Sequence, residues 1–303
     1  MNGEARGFGI VDAARRGLVR TRMRSRLDAI VAGSAAGLAV ESGWRTEDLL
    51  LCVEAICQEN LGDLLALRRL ASGLKRGRVH ALLLDQLWGP DPKVKRRVIT
   101  VLGRLEMDEV VPWLAPFLGN PDEGVRVNAA RALGRIGGGR ASDALVKALY
   151  WRRGSLNRVV MELARAAPDL YLERALVNPH HSGIRASLAV AAGLRRRRTA
   201  VASLMHVVAS GSRAERIAAC RALGWIGDRT VVPAIQYLLG DAGWQVRVAA
   251  AKALGQIGEP DSERELLRGF QDRNLRVRRS VEAALKRIRQ PQDLPISEAA
   301  AWA

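Results

Sequence analysis

The sequence predicts an all-α protein, an α-solenoid of stacked antiparallel helix pairs, and two observations support this fold class. The stretch VRVNAARALGRIG from Val125 to Gly137 recurs with few changes as VRVAAAKALGQIG from Val246 to Gly258. Hydrophobic residues make up 48% of the chain but aromatic residues only 4%, so the core is built mainly from Ala, Leu, Val and Ile. Small and branched side chains of this kind suit closely packed helices.

The Leu-Gly pair of this stretch marks a repeated unit. Good copies and degenerate copies of the pair follow each other at spacings of 31, 30, 29, 31, 31 and 31 residues. Seven units on one period predict a repeat protein whose neighbouring units bury each other's apolar faces. The pairs are Leu102-Gly103, Leu133-Gly134, Leu163-Ala164, Ala192-Gly193, Leu223-Gly224, Leu254-Gly255 and Leu285-Lys286.

Each unit contains two helical segments. The second segment has Ala and Leu at helical spacing, as at Ala129 and Leu133, which predicts one buried face. The marker glycine, for example Gly134, predicts a close crossing with a neighbouring helix. The first segment reads VVPWLAPFLGN in one unit and VVPAIQYLLGD in another, and the aligned Pro112 and Pro233 are typical of a first helical turn.

The signature D-x-x-x-x-V-R-x-x-A-A-x-A-L-G-x-I-G, best preserved from Asp241 to Gly258, resembles the HEAT repeat family. The similarity is to the bacterial HEAT-like type also seen in phycobilisome lyases, and it implies a HEAT-like superhelix. The pattern is interrupted around Met161, Glu162 and Arg165. We predict a basic, partly helical N-terminal segment over residues 1–45, a solenoid of about eight to nine helix pairs over 46–289, and a C-terminal tail over 290–303.

The chain is strongly basic, with a formal net charge of +17. Of its 48 basic residues 42 are Arg and six are Lys; coding bias of a genome is one explanation for this excess of Arg. A charge of this size favours acidic partners, which include acidic proteins, nucleic acid and anionic lipid head groups. The Arg-rich first 26 residues also predict peripheral contact with an anionic membrane surface.

One Arg recurs in the second segment, eight residues before the marker position. The resemblance implies a structural ladder in which this Arg bonds acidic or carbonyl groups in the turn of a neighbouring unit. Asp241 and Asp272 occupy the matching turn position. The predicted ladder arginines are Arg126, Arg185, Arg216, Arg247 and Arg278.

A second set of positions, three before and one after the marker, lies on a helix face that points away from the Ala and Leu residues. Seven of these fourteen residues are basic and none is acidic, whereas the composition alone would give about two basic residues. We call these positions the second-helix stripe. Because the resemblance implies that second helices line the concave side, they predict a basic groove; a solvated charged face is the alternative. The predicted groove residues are Arg104, Arg131, Arg135, Arg165, Arg221, Trp225, Lys252 and Arg287.

The sequence predicts no catalytic or metal centre and no cofactor. A hydroxylase of this family holds iron with His-Glu pairs, but none of the four histidines here is followed by Glu. Cys52 and Cys57 are five residues apart, which is not a CxxC spacing, and Cys220 aligns with a core Ala. Three cysteines without a disulfide framework, no secretory signal and no apolar run long enough for a membrane span predict a cytoplasmic protein.

These patterns predict a non-enzymatic scaffold that binds an acidic protein partner through a basic concave groove. Two alternatives remain open from the sequence. One is nucleic-acid binding, as in HEAT-like DNA glycosylases that hold duplex DNA in a basic concavity. The other is a role in chromophore attachment like that of phycobilin lyases, in which arginines would face the propionates of a bilin.

Overall fold

The helices follow the predicted units. The computed structural model describes residues 84, 87–151, 156–168 and 170–290, and within these ranges it contains helices and no strand. Numbered in chain order, the α-helices of this part are α1 Pro92–Leu105, α2 Val111–Leu114, α3 Glu123–Ile136, α4 Gly138–Tyr150, α5 Leu156–Ala166, α6 Tyr171–Val177, α7 Arg185–Leu194, α8 Val201–Ser210, α9 Arg213–Ile226, α10 Val232–Tyr237, α11 Trp244–Ile257, α12 Glu263–Arg268 and α13 Leu275–Arg289.

The odd-numbered helices are the second segments of the units, and the even-numbered helices are the first segments. Local sequence explains where they start and stop. Pro112 and Pro233 lie in the first turns of α2 and α10, where a missing N–H costs nothing. α11 ends at Ile257, and the following Gly258 has φ 74°, a left-handed conformation, and donates its N–H to the carbonyl of Leu254.

Successive second helices pack through the marker glycines. In the series α7, α9, α11 and α13, a Cβ added at Gly193 would lie 2.6 Å from Cα of Ala222, and one at Gly255 would lie 2.7 Å from Cα of Ala284. These distances leave no room for a side chain, so the Gly of one helix contacts the Ala of the next. The predicted all-α repeat fold is confirmed, and the Gly-Ala contact is what sets the spacing of its helices.

The core consists of aliphatic side chains from both kinds of helix. Leu133, Leu188, Leu223 and Leu254 are fully buried. Cys220 is also fully buried at an Ala position of the repeat, and burial raises the pKa of its thiol to about 12. A thiol with this pKa stays protonated and packs as a small apolar side chain. Cys52 and Cys57 lie outside the described residues.

Above the level of the single repeat, the chain divides into two compact units that each contain several repeats. The first unit ends at Ile136, and the second unit begins at Gly137. In the first unit, α1 packs on α3, and a Cβ at Gly103 would lie 2.5 Å from Cα of Ala132. The second unit contains α4 to α13. The predicted bounds at residues 45 and 290 stay predictions, because residues 1–45 and 291–303 lie outside the described part. No helix in that part is long and apolar enough to cross a membrane.

Candidate functional site

The second-helix stripe is accessible in both units. None of its fourteen positions is buried, whereas the marker positions beside it are buried in α1, α3, α7, α9 and α11. In the first unit it carries three basic side chains, and in the second unit it carries four and one Trp. Of the predicted groove residues, Arg131, Arg135, Arg165 and Lys252 are exposed, and Arg104, Arg221, Trp225 and Arg287 are partly exposed. The continuous groove along all units stays a prediction.

In the second unit, part of the stripe forms an apolar trough. Side chains of α5, α7 and α9 line an open cavity of about 330 Å³, a volume near the lower end of small-ligand pockets. Five stripe residues line it, namely Met161, Val190, Leu194, Arg221 and Trp225. The predicted basic groove is therefore interrupted here by apolar surface, with one cation at its edge.

The trough lies where the repeat loses its marker glycine. Ala164 of α5 occupies that position and is partly exposed, whereas Gly193, Gly224 and Gly255 are buried against the next helix. A Cβ at the usual spacing would overlap the neighbouring Ala, so α7 cannot approach α5 as closely as it approaches α9. The methyl group of Ala164 thus explains why space opens between α5 and α7.

Arg221 and Trp225 form one end of the trough. The guanidinium carbon of Arg221 lies 5.5 Å from the centroid of the Trp225 ring, within cation–π range. The ring also packs against α7, because a Cβ at Gly193 would lie 2.9 Å from its Cε3 atom. The glycine therefore sets the helix spacing and provides the surface on which Trp225 rests.

A buried carboxylate accompanies the trough in α5. Glu162 is 4% exposed at a position that is Ala in α3 and α11. Its oxygens lie 3.4 Å from a nitrogen of Arg158 and 3.9 Å from a nitrogen of Arg165. These two arginines offset the cost of burying the charge. Arg165, predicted as a groove residue, thus has a partner within its own helix.

The ladder arginines connect neighbouring turns in the second unit. Arg247 binds Asp272 in a two-pronged ion pair, with N···O distances of 2.6 and 2.9 Å, and also donates to the carbonyl of Asp241 at 2.8 Å. Arg216 reaches the carboxylate of Asp241 at 3.0 Å. The hydrogen bond from Arg247 holds the pKa of Asp272 below its usual value, and the same contact raises the pKa of Arg247.

Three ladder arginines have other partners. Arg126 donates to the carbonyls of Asn120 and Pro121 at 2.8 and 2.7 Å. Arg278 likewise donates to carbonyls of its own preceding turn. Arg185 pairs with Glu215 at 3.1 Å, a carboxylate that the sequence interpretation missed. The capping-box pattern from Ser212 to Glu215 was the available signal, because it places that Glu at the start of α9.

The histidines of the described part show no ligand arrangement. Within it, no group of three or more metal-ligating side chains comes together. The Nδ1–H of His181 donates to the carbonyl of Ala175, 3.0 Å away, and the centroid of its ring lies 5.9 Å from that of Tyr150. The hydroxyl of Tyr150 donates to the carbonyl of His180 at 2.6 Å. These contacts join α4 to the turn before α7.

Sequence and structure comparisons show similarity to helical repeat proteins. The sequence profile of HEAT repeats matches residues 81–166 and 231–302, just over half of the chain. No curated protein matches in sequence.

Among solved structures, Kap121p is 13% identical to this chain with a TM-score of 0.50, over 88% of this chain and 37% of Kap121p, so the likeness shows the fold alone. Human deoxyhypusine hydroxylase in complex with glycerol is 21% identical with a TM-score of 0.37, over 81% of this chain and 98% of the hydroxylase. A designed armadillo repeat protein is 18% identical to this chain with a TM-score of 0.31, over 68% of this chain and 98% of the designed protein.

Proposed function

This chain belongs to the HEAT repeat family, and we propose that it is a non-enzymatic scaffold that binds an acidic surface of a partner protein. The observation that supports this most is the trough on α5, α7 and α9, where Arg221 lies against Trp225 beside apolar side chains. Trp and Arg are the residues that most often dominate binding energy at protein interfaces. We place this activity in the cytoplasm.

Charge supports an acidic partner. The stripe carries seven basic and no acidic residues, and the whole chain has a net charge of +17. A field of this sign speeds the encounter with acidic surfaces and disfavours basic ones. The apolar side chains at the centre then supply the contact area that ion pairs on an exposed surface cannot provide.

Charge reversal on the stripe tests this function. Replacing Arg131, Arg135 and Arg221 with Glu should abolish capture of partners from a nuclease-treated native lysate. Circular dichroism should show unchanged helicity, because these three side chains are exposed or partly exposed.

The matched control reverses Arg174, Arg264 and Arg268, which are exposed on the even-numbered helices. This control changes the net charge by the same amount and should keep capture intact. Equal capture by the stripe variant and the unaltered protein would contradict the proposal.

Nucleic acid is the alternative partner. A phosphate backbone favours an uninterrupted track of cations, but three of the four stripe positions on α5 and α7 are apolar, namely Met161, Val190 and Leu194. Binding to generic duplex DNA that weakens steeply with salt would favour this alternative. Failure of DNA to bind at low salt would remove it.

A role like that of phycobilisome lyases is the second candidate, and the trough is the feature that favours it. Apolar walls with Arg221 at one end suit a flat ligand that carries carboxylates, as a bilin does. Co-expression with a bilin and its acceptor subunit would test this role. Bound visible colour that disappears in Arg221→Glu would support it, and a colourless product would not.

A further inference from the structure

We propose that the trough binds an acidic amphipathic helix of the partner protein, oriented with the N-terminal turn of that helix at Arg221. This inference rests on the proposed scaffold function and specifies what the site recognises. Along α9, the lining extends from Ala214 to Trp225, which corresponds to about 16 Å at 1.5 Å per residue. That length matches about three turns of a bound helix.

The polarity of the lining favours a helix over an extended peptide. The walls are the sides of three helices, whose backbone groups are hydrogen-bonded within those helices. Apart from the indole N–H of Trp225, the polar side chains of the lining are those of Asn157, Ser187 and Arg221. An extended segment would leave several backbone N–H and C=O groups unpaired against apolar surface, at a cost for each group. A helix satisfies its own backbone and presents only side chains.

The apolar lining determines what the bound helix presents. Leu156, Val160, Met161, Val190 and Ile217 contribute side chains to the trough, and Leu156 is 40% exposed. Large apolar residues of the ligand one turn apart, at positions i, i+4 and i+7, would lie along this surface and remove it from water. The trough thus selects a helix with one apolar face.

The orientation follows from charge. Arg221 lies near the C-terminal end of α9. Arg165 lies near the C-terminal end of α5, at the stripe position that Trp225 occupies in α9, so both cations are at the same end of their helices. Carboxylates in the first turn of the ligand would form charge-assisted hydrogen bonds with Arg221 and also stabilise their own helix N-terminus.

The opposite end of the trough reinforces this orientation. It is lined by Asn157, Ser187 and Ala214, which lie near the N-termini of α5, α7 and α9. The positive ends of these three helix dipoles favour the C-terminus of the bound helix.

Two peptides of identical composition test the inference on the full-length chain. Each has Leu at i, i+4 and i+7; one carries two Glu in its first turn, and the other carries them in its last turn. We expect the first peptide to bind about tenfold more tightly by fluorescence anisotropy, the factor for one favourable charged contact. Replacing its Leu residues with Ser should abolish binding.

Variants of the protein locate the site. Val190→Arg should block binding by filling the trough, whereas Ala283→Arg is the matched control, because Ala283 is exposed at the same register position on α13. Arg221→Glu should reverse the preference, so that a peptide with Lys in its first turn binds better than one with Glu.

Other results would overturn the inference in distinguishable ways. Equal binding of both peptides, with loss of lysate capture in the stripe variant, would leave the scaffold function and refute the orientation. Concentration-dependent dimerisation that Val190→Arg abolishes would identify a second copy as the occupant. Tighter peptide binding after Leu294→Ser and Ile296→Ser would identify the chain's own segment PQDLPISEAAAWA, which carries Asp293 and Glu298.

Discussion

α5 and the series α7, α9, α11 and α13 follow the same repeat pattern, but α5 differs from the helices of the series at the marker position. Gly193, Gly224 and Gly255 allow each helix of the series to contact the Ala of the next. Ala164 prevents that approach in α5, and an open trough results. The difference links the residue at the marker position to whether the next second helix closes on it or leaves an open surface.

The two regions also differ in how they use charge. In the regular series, Arg216 and Arg247 bind carboxylates of the following turn, so that each ion pair links two units. In α5, the buried Glu162 is bound by arginines of its own helix. The regular series therefore uses arginines to connect units, and α5 uses them to balance a local charge.

The largest effect should come from adding a methyl group in the regular series. Gly255→Ala would place a Cβ 2.7 Å from Cα of Ala284, and we expect a loss of about 2–3 kcal/mol in the free energy of unfolding. Helix propensity alone would give a gain of about 1 kcal/mol, so the sign separates the two effects. Urea denaturation measures the change in the free energy of unfolding. A Gly255→Ala variant that is more stable than the unaltered protein would refute the close contact.

Loss of a ladder arginine should have the next largest effect. Arg247→Ala removes the two-pronged contact with Asp272, whose side chain is 10% exposed, and should cost about 1.5 kcal/mol. The control is Arg268→Ala, whose 2.6 Å pair with Glu265 is largely exposed and should contribute less than about 0.5 kcal/mol. Thermal denaturation compares them, and equal losses would contradict a special role for the ladder.

The same ion pair predicts a dependence on pH. The pKa of Asp272 is lower in the folded protein than in the unfolded chain, so the unfolded chain takes up the proton first. The contribution of Asp272 is fully present above the unfolded pKa of about 3.9 and is lost as pH falls through the folded value. The stability difference between the unaltered protein and Asp272→Asn should therefore narrow from pH 6 to pH 3; a constant difference would argue against the ion pair.

The smallest effect should occur at the exceptional marker position. Ala164 is partly exposed, so Ala164→Ser should change the free energy of unfolding by about 0.5 kcal/mol or less. A loss as large as that of Gly255→Ala would show that α7 covers Ala164 as closely as the other helices cover their glycines. That outcome would remove the explanation given for the trough.

The period and the Gly and Ala positions were enough to predict the fold, because in a repeat array each unit contacts its neighbours in the same way. The trough was not predicted, although the sequence has Met161, Val190 and Leu194 at neighbouring positions of an otherwise mostly basic stripe. Its volume depends on the distance between α5 and α7, and the sequence alone does not show that the methyl group at Ala164 increases this distance. The carboxylate of Glu215 was missed because it binds Arg185 from a helix start, whereas Asp241 and Asp272 bind from a turn.

The Gly-Ala contact also has a consequence for how the spacing of such repeats can change by mutation. Every Gly codon becomes an Ala codon by one base change at its second position. A single base change at Gly193, Gly224 or Gly255 therefore adds a methyl group at one contact between neighbouring second helices and leaves the other contacts as they are. A change in the spacing of two neighbouring repeats is thus one nucleotide away at each of these glycines, without insertion or duplication.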